Sequence, residues 1–175
     1  PPGKVRVSFH EGMPAHDRWL REGEAWPAET MHREEESFLL PRLPVRYDAW
    51  GIRTGWKPPV LVRMAADVAL PPGKHRLLLR ARGLSRLWVN GTLIAKTQPH
   101  TGSPDGEEPM TPPAALPLPG LRRAEHRQQE VAGDVTLPVD GSCRVVLETL
   151  VGGKSLRPEP GELCLSMRTE NGQSY

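Results

Sequence analysis

From Val60 to Leu70 every second residue is apolar. Val60, Val62, Met64, Ala66, Val68 and Leu70 fall on one parity; Leu61, Arg63, Ala65, Asp67 and Ala69 fall on the other. Side chains two apart share a face only in an extended strand, and a strand this long with one apolar face belongs over the core of a sheet packing. The run stops at Pro71-Pro72-Gly73-Lys74. Proline presets φ there and glycine accepts a positive value, so the segment predicts a turn. A second alternating run follows, with Leu77, Leu79 and Ala81 opposite Arg76, Arg80 and Arg82. Next comes Arg86-Leu87-Trp88-Val89-Asn90-Gly91-Thr92-Leu93-Ile94-Ala95. Its Asn-Gly pair is the strongest short-range hairpin signal, because a type I′ turn needs positive φ at both central residues.

The rest of the chain suits the same architecture. Twenty prolines and 17 glycines in 175 residues interrupt any long helix. Val5, Val7 and Phe9 alternate with Lys4, Arg6 and Ser8 in a first strand. Residues 10–43 show no sustained period and are read as a long surface excursion with at most a helical turn near Asp17. Residues 98–125, rich in Pro, Gly, Ser and acid, are read as a second long loop. Strand character returns at Val131, Val135 and Leu137. Two closing strands follow in "CRVVLETLVGG" (Cys143–Gly153) and "GELCLSMRT" (Gly161–Thr169), read as a hairpin about a loop near Arg157. Seven or eight strands with turns between them predict one all-β domain over residues 1–175, an antiparallel β-sandwich with long irregular loops and at most short helices.

The 23 basic and 21 acidic residues nearly balance, which argues against a dedicated nucleic-acid binder. No segment is long and apolar enough to enter a membrane as a helix, and Pro1 does not open a signal peptide. The abrupt opening "PPGKVRV" and ending "NGQSY" lead to the expectation of one module of a larger protein. Cys143 and Cys164 are expected to be buried thiols, a disulfide between them being the alternative.

The segment from Leu61 to Thr97 resembles the core of a PA14 domain. Ser85–Ile94, "SRLWVNGTLI", fits that family's hairpin, "KVRVSFHEG" its first strand, and "GDVTLPVDGSCRVVLETLVGG" its later strand pair. The phrasing from Leu70 to Gly91, with "VVLETLVGGK", is similar to a narrower set of such modules, found in large planctomycete proteins with c-type cytochrome and uncharacterised domains. That resemblance implies a periplasmic or cell-surface location. Sugar-binding members of the family hold Ca²⁺ with two adjacent aspartates before the hairpin. Aligned on Leu87, those positions fall on Arg82 and Gly83, and the hairpin aspartate falls on Asn90. Neither Arg82 nor Gly83 can be a carboxylate ligand, so the resemblance implies the fold without the metal, and no cofactor is expected.

Trp19, Trp26, Trp50 and Trp56 lie in Pro- and Gly-rich surroundings, where an exposed ring can stack on a pyranose. Trp50 and Trp56, with Asp48 and Arg53 to bond hydroxyls, are candidate glycan contacts; the alternative is that the rings pin long loops to the sandwich. Arg80 and Arg82, with Arg76 and Arg86 beside them, could hold sulfate or carboxylate, or could be ordinary strand-face charge paired with nearby acids. Asn90 completes the candidate set. Trp88 is expected to pack against the second sheet or a covering loop. The "HREEE" run at His32–Glu36 is read as a solvated charge run, since consecutive carboxylates diverge. No nucleophile elbow and no flagged carboxylate pair is present. The expected function is a non-catalytic carbohydrate-binding module, possible ligands including an anionic polysaccharide; the alternative is a structural module packed on neighbouring domains of its parent.

Overall fold

The computed structural model describes residues 3–15, 17–99, 118–124, 128–138, 142–152, 163–168 and 172–175. Among these residues there are twelve strands and no helix: β1 (Val5–His10), β2 (Glu29–Glu35), β3 (Leu39–Leu40), β4 (Arg46–Tyr47), β5 (Arg53–Thr54), β6 (Val60–Ala69), β7 (Gly73–Ala81), β8 (Ser85–Val89), β9 (Thr92–Lys96), β10 (Gln129–Leu137), β11 (Ser142–Val151) and β12 (Leu163–Met167). A six-stranded sheet runs β2-β1-β6-β11-β8-β9, a four-stranded sheet runs β10-β7-β12-β3, and β4-β5 is a separate ribbon. All pairings are antiparallel.

The alternation seen in the sequence builds the core. Val5, Val7, Phe9, Val60, Val62, Met64, Leu87, Val89, Val145 and Leu147 point inward from the larger sheet, and Leu40, Leu77, Leu79, Leu137 and Leu163 answer from the smaller. The Pro71–Lys74 turn, with Gly73 at φ 117°, carries the chain from one sheet to the other. Asn90 and Gly91 both take positive φ, 48° and 77°, and close the β8-β9 hairpin. On one side the sheets meet: a Cβ on Gly133 of β10 would lie 2.4 Å from the Ile94 carbonyl oxygen of β9, so only glycine lets the strands approach.

Several expectations are corrected. The excursion over residues 10–43 contains β2 and β3. β2 pairs along the whole of β1, and its charged sequence follows from its place at the sheet edge, where His32, Glu34 and their neighbours discourage another strand from pairing. Part of the segment before β2 also folds back over the outer face of the larger sheet. Met13, Trp19 and Leu20 cover Leu61, Leu84 and Leu150 there in a second small core, so β6 is apolar on both faces at its start. β11 and β12 belong to different sheets and do not form a hairpin. Cys143 and Cys164 accordingly lie on opposite sheets, both buried and neither in a disulfide. The turn around Val139–Gly141, the loop near Arg157 and most of the second long loop lie outside the described residues.

Candidate functional site

The ribbon β4-β5 brings three predicted residues together. Asp48 opens its tip: the Oδ1 atom accepts from the Trp50 and Ile52 backbone N–H groups at 2.8 and 2.9 Å. The Asp48 N–H donates to the Ile52 carbonyl at 2.9 Å, and Gly51 takes φ 75°. A short acidic side chain that closes its own turn in this way makes the tip stiff. Trp50 stands out of it 87% exposed, flanked in sequence by Tyr47 (66%) and Ile52 (64%), with Val45 also exposed at its base. Arg53 lies on β5, exposed, opposite Tyr47.

The ribbon is tied to the sandwich by charge. Arg46 holds Glu11 with both terminal nitrogens, Nη1 to Oε2 at 3.0 Å and Nη2 to Oε1 at 2.9 Å, and the Lys57 N–H donates to Oε1 at 2.7 Å. Burial pushes the Glu11 carboxyl up, but the Arg46 and Lys57 hydrogen bonds outweigh it and hold the group below its ordinary value. Trp56 completes the joint. Its Nε1–H donates to the Pro44 carbonyl at 2.8 Å, its ring lies 5.4 Å from Phe9, and the Arg46 guanidinium sits 3.9 Å above it. The space between Trp56 and the ribbon is about 40 Å³, room for water rather than a sugar. Trp56 thus pins the ribbon to the sandwich, while Trp50 stands exposed at its tip.

The arginine stripe is divided by the fold. Arg80 is only 1% exposed; its Nε and Nη2 donate to Glu130 Oε1 at 2.9 and 2.5 Å, and Nη2 also reaches the Arg122 carbonyl at 2.8 Å. Arg82 is half-buried at the strand end. Arg86 belongs to the other sheet. It lies in a polar row that crosses all six strands in register, His32, Ser8, Arg63, Glu148, Arg86 and Lys96. Glu148, with 7% of its side chain exposed, joins Arg63 Nε at 3.2 Å and Arg86 Nε at 3.0 Å. The Arg86 guanidinium is sandwiched between the rings of Trp19 (4.0 Å) and Trp88 (4.6 Å). Trp88 therefore sits half-buried on the outer face, not between the sheets. Sequence reasoning missed Tyr47 and Ile52, for which the only signal was their closeness to Trp50 in a stretch with no period.

No family model and no curated protein matches the sequence. Among solved structures, a PA14 sugar-binding domain from an RTX adhesin superposes over 100% of this chain and 94% of its own length, with TM-score 0.56 and 10% identity. The fold is PA14-like. A β-glucosidase from Kluyveromyces marxianus, in complex with glucose, contains a similar unit (TM-score 0.55, 11% identity, 95% of this chain), as does an anti-sigma factor domain-containing protein (TM-score 0.52, 11% identity, 98% of this chain). The chain spans 17% of the glucosidase and 44% of the latter protein.

On this PA14-like sandwich the positions carried over from the family's metal site have other partners. A Cβ on Gly83 would lie 2.0 Å from the Leu150 carbonyl oxygen, so no side chain fits. The Gly83 carbonyl accepts from the Ser85 and Thr97 hydroxyls at 3.1 and 2.9 Å. Asn90 bridges to β11: its Oδ1 accepts from the Arg144 N–H at 2.8 Å, and its own N–H donates to the Arg144 carbonyl at 2.9 Å. Among the described residues, no group of three or more His, Cys, Asp or Glu is placed to hold a metal ion.

Proposed function

We propose that this chain is a non-catalytic carbohydrate-binding module of a larger extracytoplasmic protein, and that Trp50 is its principal glycan contact. The observation that carries the reading is a fully presented tryptophan ring on a stiff, anchored ribbon. A ring held in place before the ligand arrives loses little freedom on stacking against a pyranose. Arg53 supplies N–H donors for sugar hydroxyls on the same ribbon. Asp48 acts through the turn, as the residue that orients Trp50. The likeness of the fold to an adhesin's sugar-binding domain supports the class of ligand. Calcium has no part in this reading. The planctomycete, cytochrome-linked setting belongs to it only as the context the sequence resembles.

Native affinity gels with soluble neutral polysaccharides test it. Retardation unchanged by a chelator, and weakened about tenfold by Trp50→Ala, is the expected result. Retardation that a chelator abolishes would place the ligand at a metal instead.

A second reading has its own observation. Val45, Tyr47, Trp50 and Ile52 together make an exposed apolar ribbon tip, which also suits a contact with a neighbouring domain of the parent protein. Concentration-dependent self-association of the isolated module, relieved by Trp50→Ala and with no polysaccharide retarded, would favour it.

A further inference from the structure

The outer face of the four-stranded sheet carries a cleft of about 720 Å³ that, of the candidate residues named from the sequence, Arg76 alone lines. We propose that it binds an acidic sugar unit through its oxyanion, a uronate carboxylate or a sulfate ester. This rests on the glycan reading and names the class of polymer.

The cleft is built by register. β7 and β10 pair so that Lys74 lies opposite Thr136 and Arg76 opposite Asp134. The chain leaving β12 adds Arg168, whose backbone N–H donates to the Arg76 carbonyl at 2.9 Å. Three cations from two neighbouring chain segments of one sheet thus face one carboxylate, and three minus one leaves a net charge of +2 in the lining. The carboxylate is a weak competitor. Arg76 meets Asp134 at 3.2 Å with side chains 44% and 71% exposed, a solvent-screened pair of the kind that holds only weakly. Arg168 is steadied by its Nε–H donating to the Gly172 carbonyl at 2.8 Å. A planar guanidinium oriented in this way suits a carboxylate or sulfate better than a mobile ammonium does.

The remaining walls fit the rest of a sugar. Pro71, Pro72 and Met167 present C–H and thioether surface to a ring face, while the Thr136 hydroxyl can bond a ring substituent. The volume lies within the roughly 300–1,000 Å³ of small-ligand sites. Cations beside apolar walls match an amphipathic acidic pyranose. A nucleic acid would want a run of charge and stacking rings, and the chain's overall balance of 23 to 21 does not supply the first.

The experiment compares wild type, the triple variant Lys74→Gln/Arg76→Gln/Arg168→Gln, Asp134→Asn and Trp50→Ala in affinity gels with dextran, polygalacturonate, dextran sulfate and single-stranded DNA. Circular dichroism verifies the fold of each. We expect polygalacturonate or dextran sulfate to retard the wild type more than dextran does, the triple variant to lose at least tenfold of that, and Asp134→Asn to gain severalfold. Which acidic polymer binds distinguishes carboxylate from sulfate. Acidic retardation that survives in the triple variant, or DNA binding as strong as either acidic polymer, would overturn the proposal. Dextran retarded through Trp50 with no acidic preference would overturn it while leaving the glycan reading standing. No retardation by any polymer would sink both.

Discussion

Single residues decide more here than their exposure suggests. Gly83 is required by a backbone passing 2.0 Å from where its Cβ would be, so Gly83→Ala must push β11 away from the end of β8. We expect a loss of about 4 kcal/mol or failure to fold, read from thermal melts by circular dichroism. Glu11 joins the Trp50 ribbon to the sandwich, and Glu11→Gln, which keeps the shape but removes the charge, should cost about 2 kcal/mol at neutral pH. The sign of the pH dependence follows from the depressed carboxyl. Its contribution is present above the ordinary value of 4.5 and is lost as pH falls below that, through the lower folded value. Wild type should therefore lose stability on acidification from pH 4.5 more steeply than Glu11→Gln, and equal slopes would remove Glu11 from the anchor. Glu24, held at about 2 mainly by the Arg18 hydrogen bond, and Glu29, held at about 2 mainly by the Ser8 hydroxyl, lose their contributions over the same fall from 4.5, but equally in both proteins, so the difference in slope reports Glu11.

At the scale of elements, edges and turns carry the specificity. β2 has no apolar stripe on its exposed parity: Thr30, His32 and Glu34 face outward. Its extended form comes from pairing with β1, and its charges keep the outer edge unpaired. His32→Val/Glu34→Val should leave the monomer folded but produce concentration-dependent association, visible by light scattering. The β8-β9 hairpin, by contrast, is locally determined. Asn90→Ala loses both the tolerance of φ 48° and the bond to the Arg144 N–H, and should destabilise by about 2 kcal/mol in a denaturant titration. This hairpin was legible because Asn-Gly encodes its geometry in two residues. β2 was not legible, because its backbone partners lie 19 to 30 residues away and its side chains carry no period of apolarity.

The whole molecule is a sandwich with one outer face partly covered by its own chain. Met13, Trp19 and Leu20 lie on the larger sheet, where Trp19 helps shield Leu61, Leu84 and Leu150 and stacks on Arg86. Trp19→Ala should cost roughly 2 kcal/mol, less than the 3–5 of a fully buried tryptophan, because the ring is half-exposed. A melt unchanged by that substitution would mean the covering segment does not contribute to the fold. Among the described residues, the Trp50 ribbon and the cleft on the smaller sheet lie outside that cover.

What the sequence determined by itself was local. Alternation at Val60–Leu70 and Leu77–Ala81, the turn at Pro71–Lys74 and the Asn90-Gly91 reversal all depend on backbone preferences and a two-residue period, and all stand in the structure. Trp50 with Asp48 and Arg53 was also visible as a cluster along the chain. The assignment of each strand to a sheet was left to tertiary structure. The arginine stripe shows why. Period two says that Arg76, Arg80 and Arg82 share a face, but not that Glu130 will close over Arg80, that Arg86 will join the other sheet, or that Lys74 and Arg168 will gather around Arg76. A strand's pattern records which side is apolar; which strand lies beside it is settled by pairings far apart in sequence, and those decide whether a charge ends up buried, paired or open to a ligand.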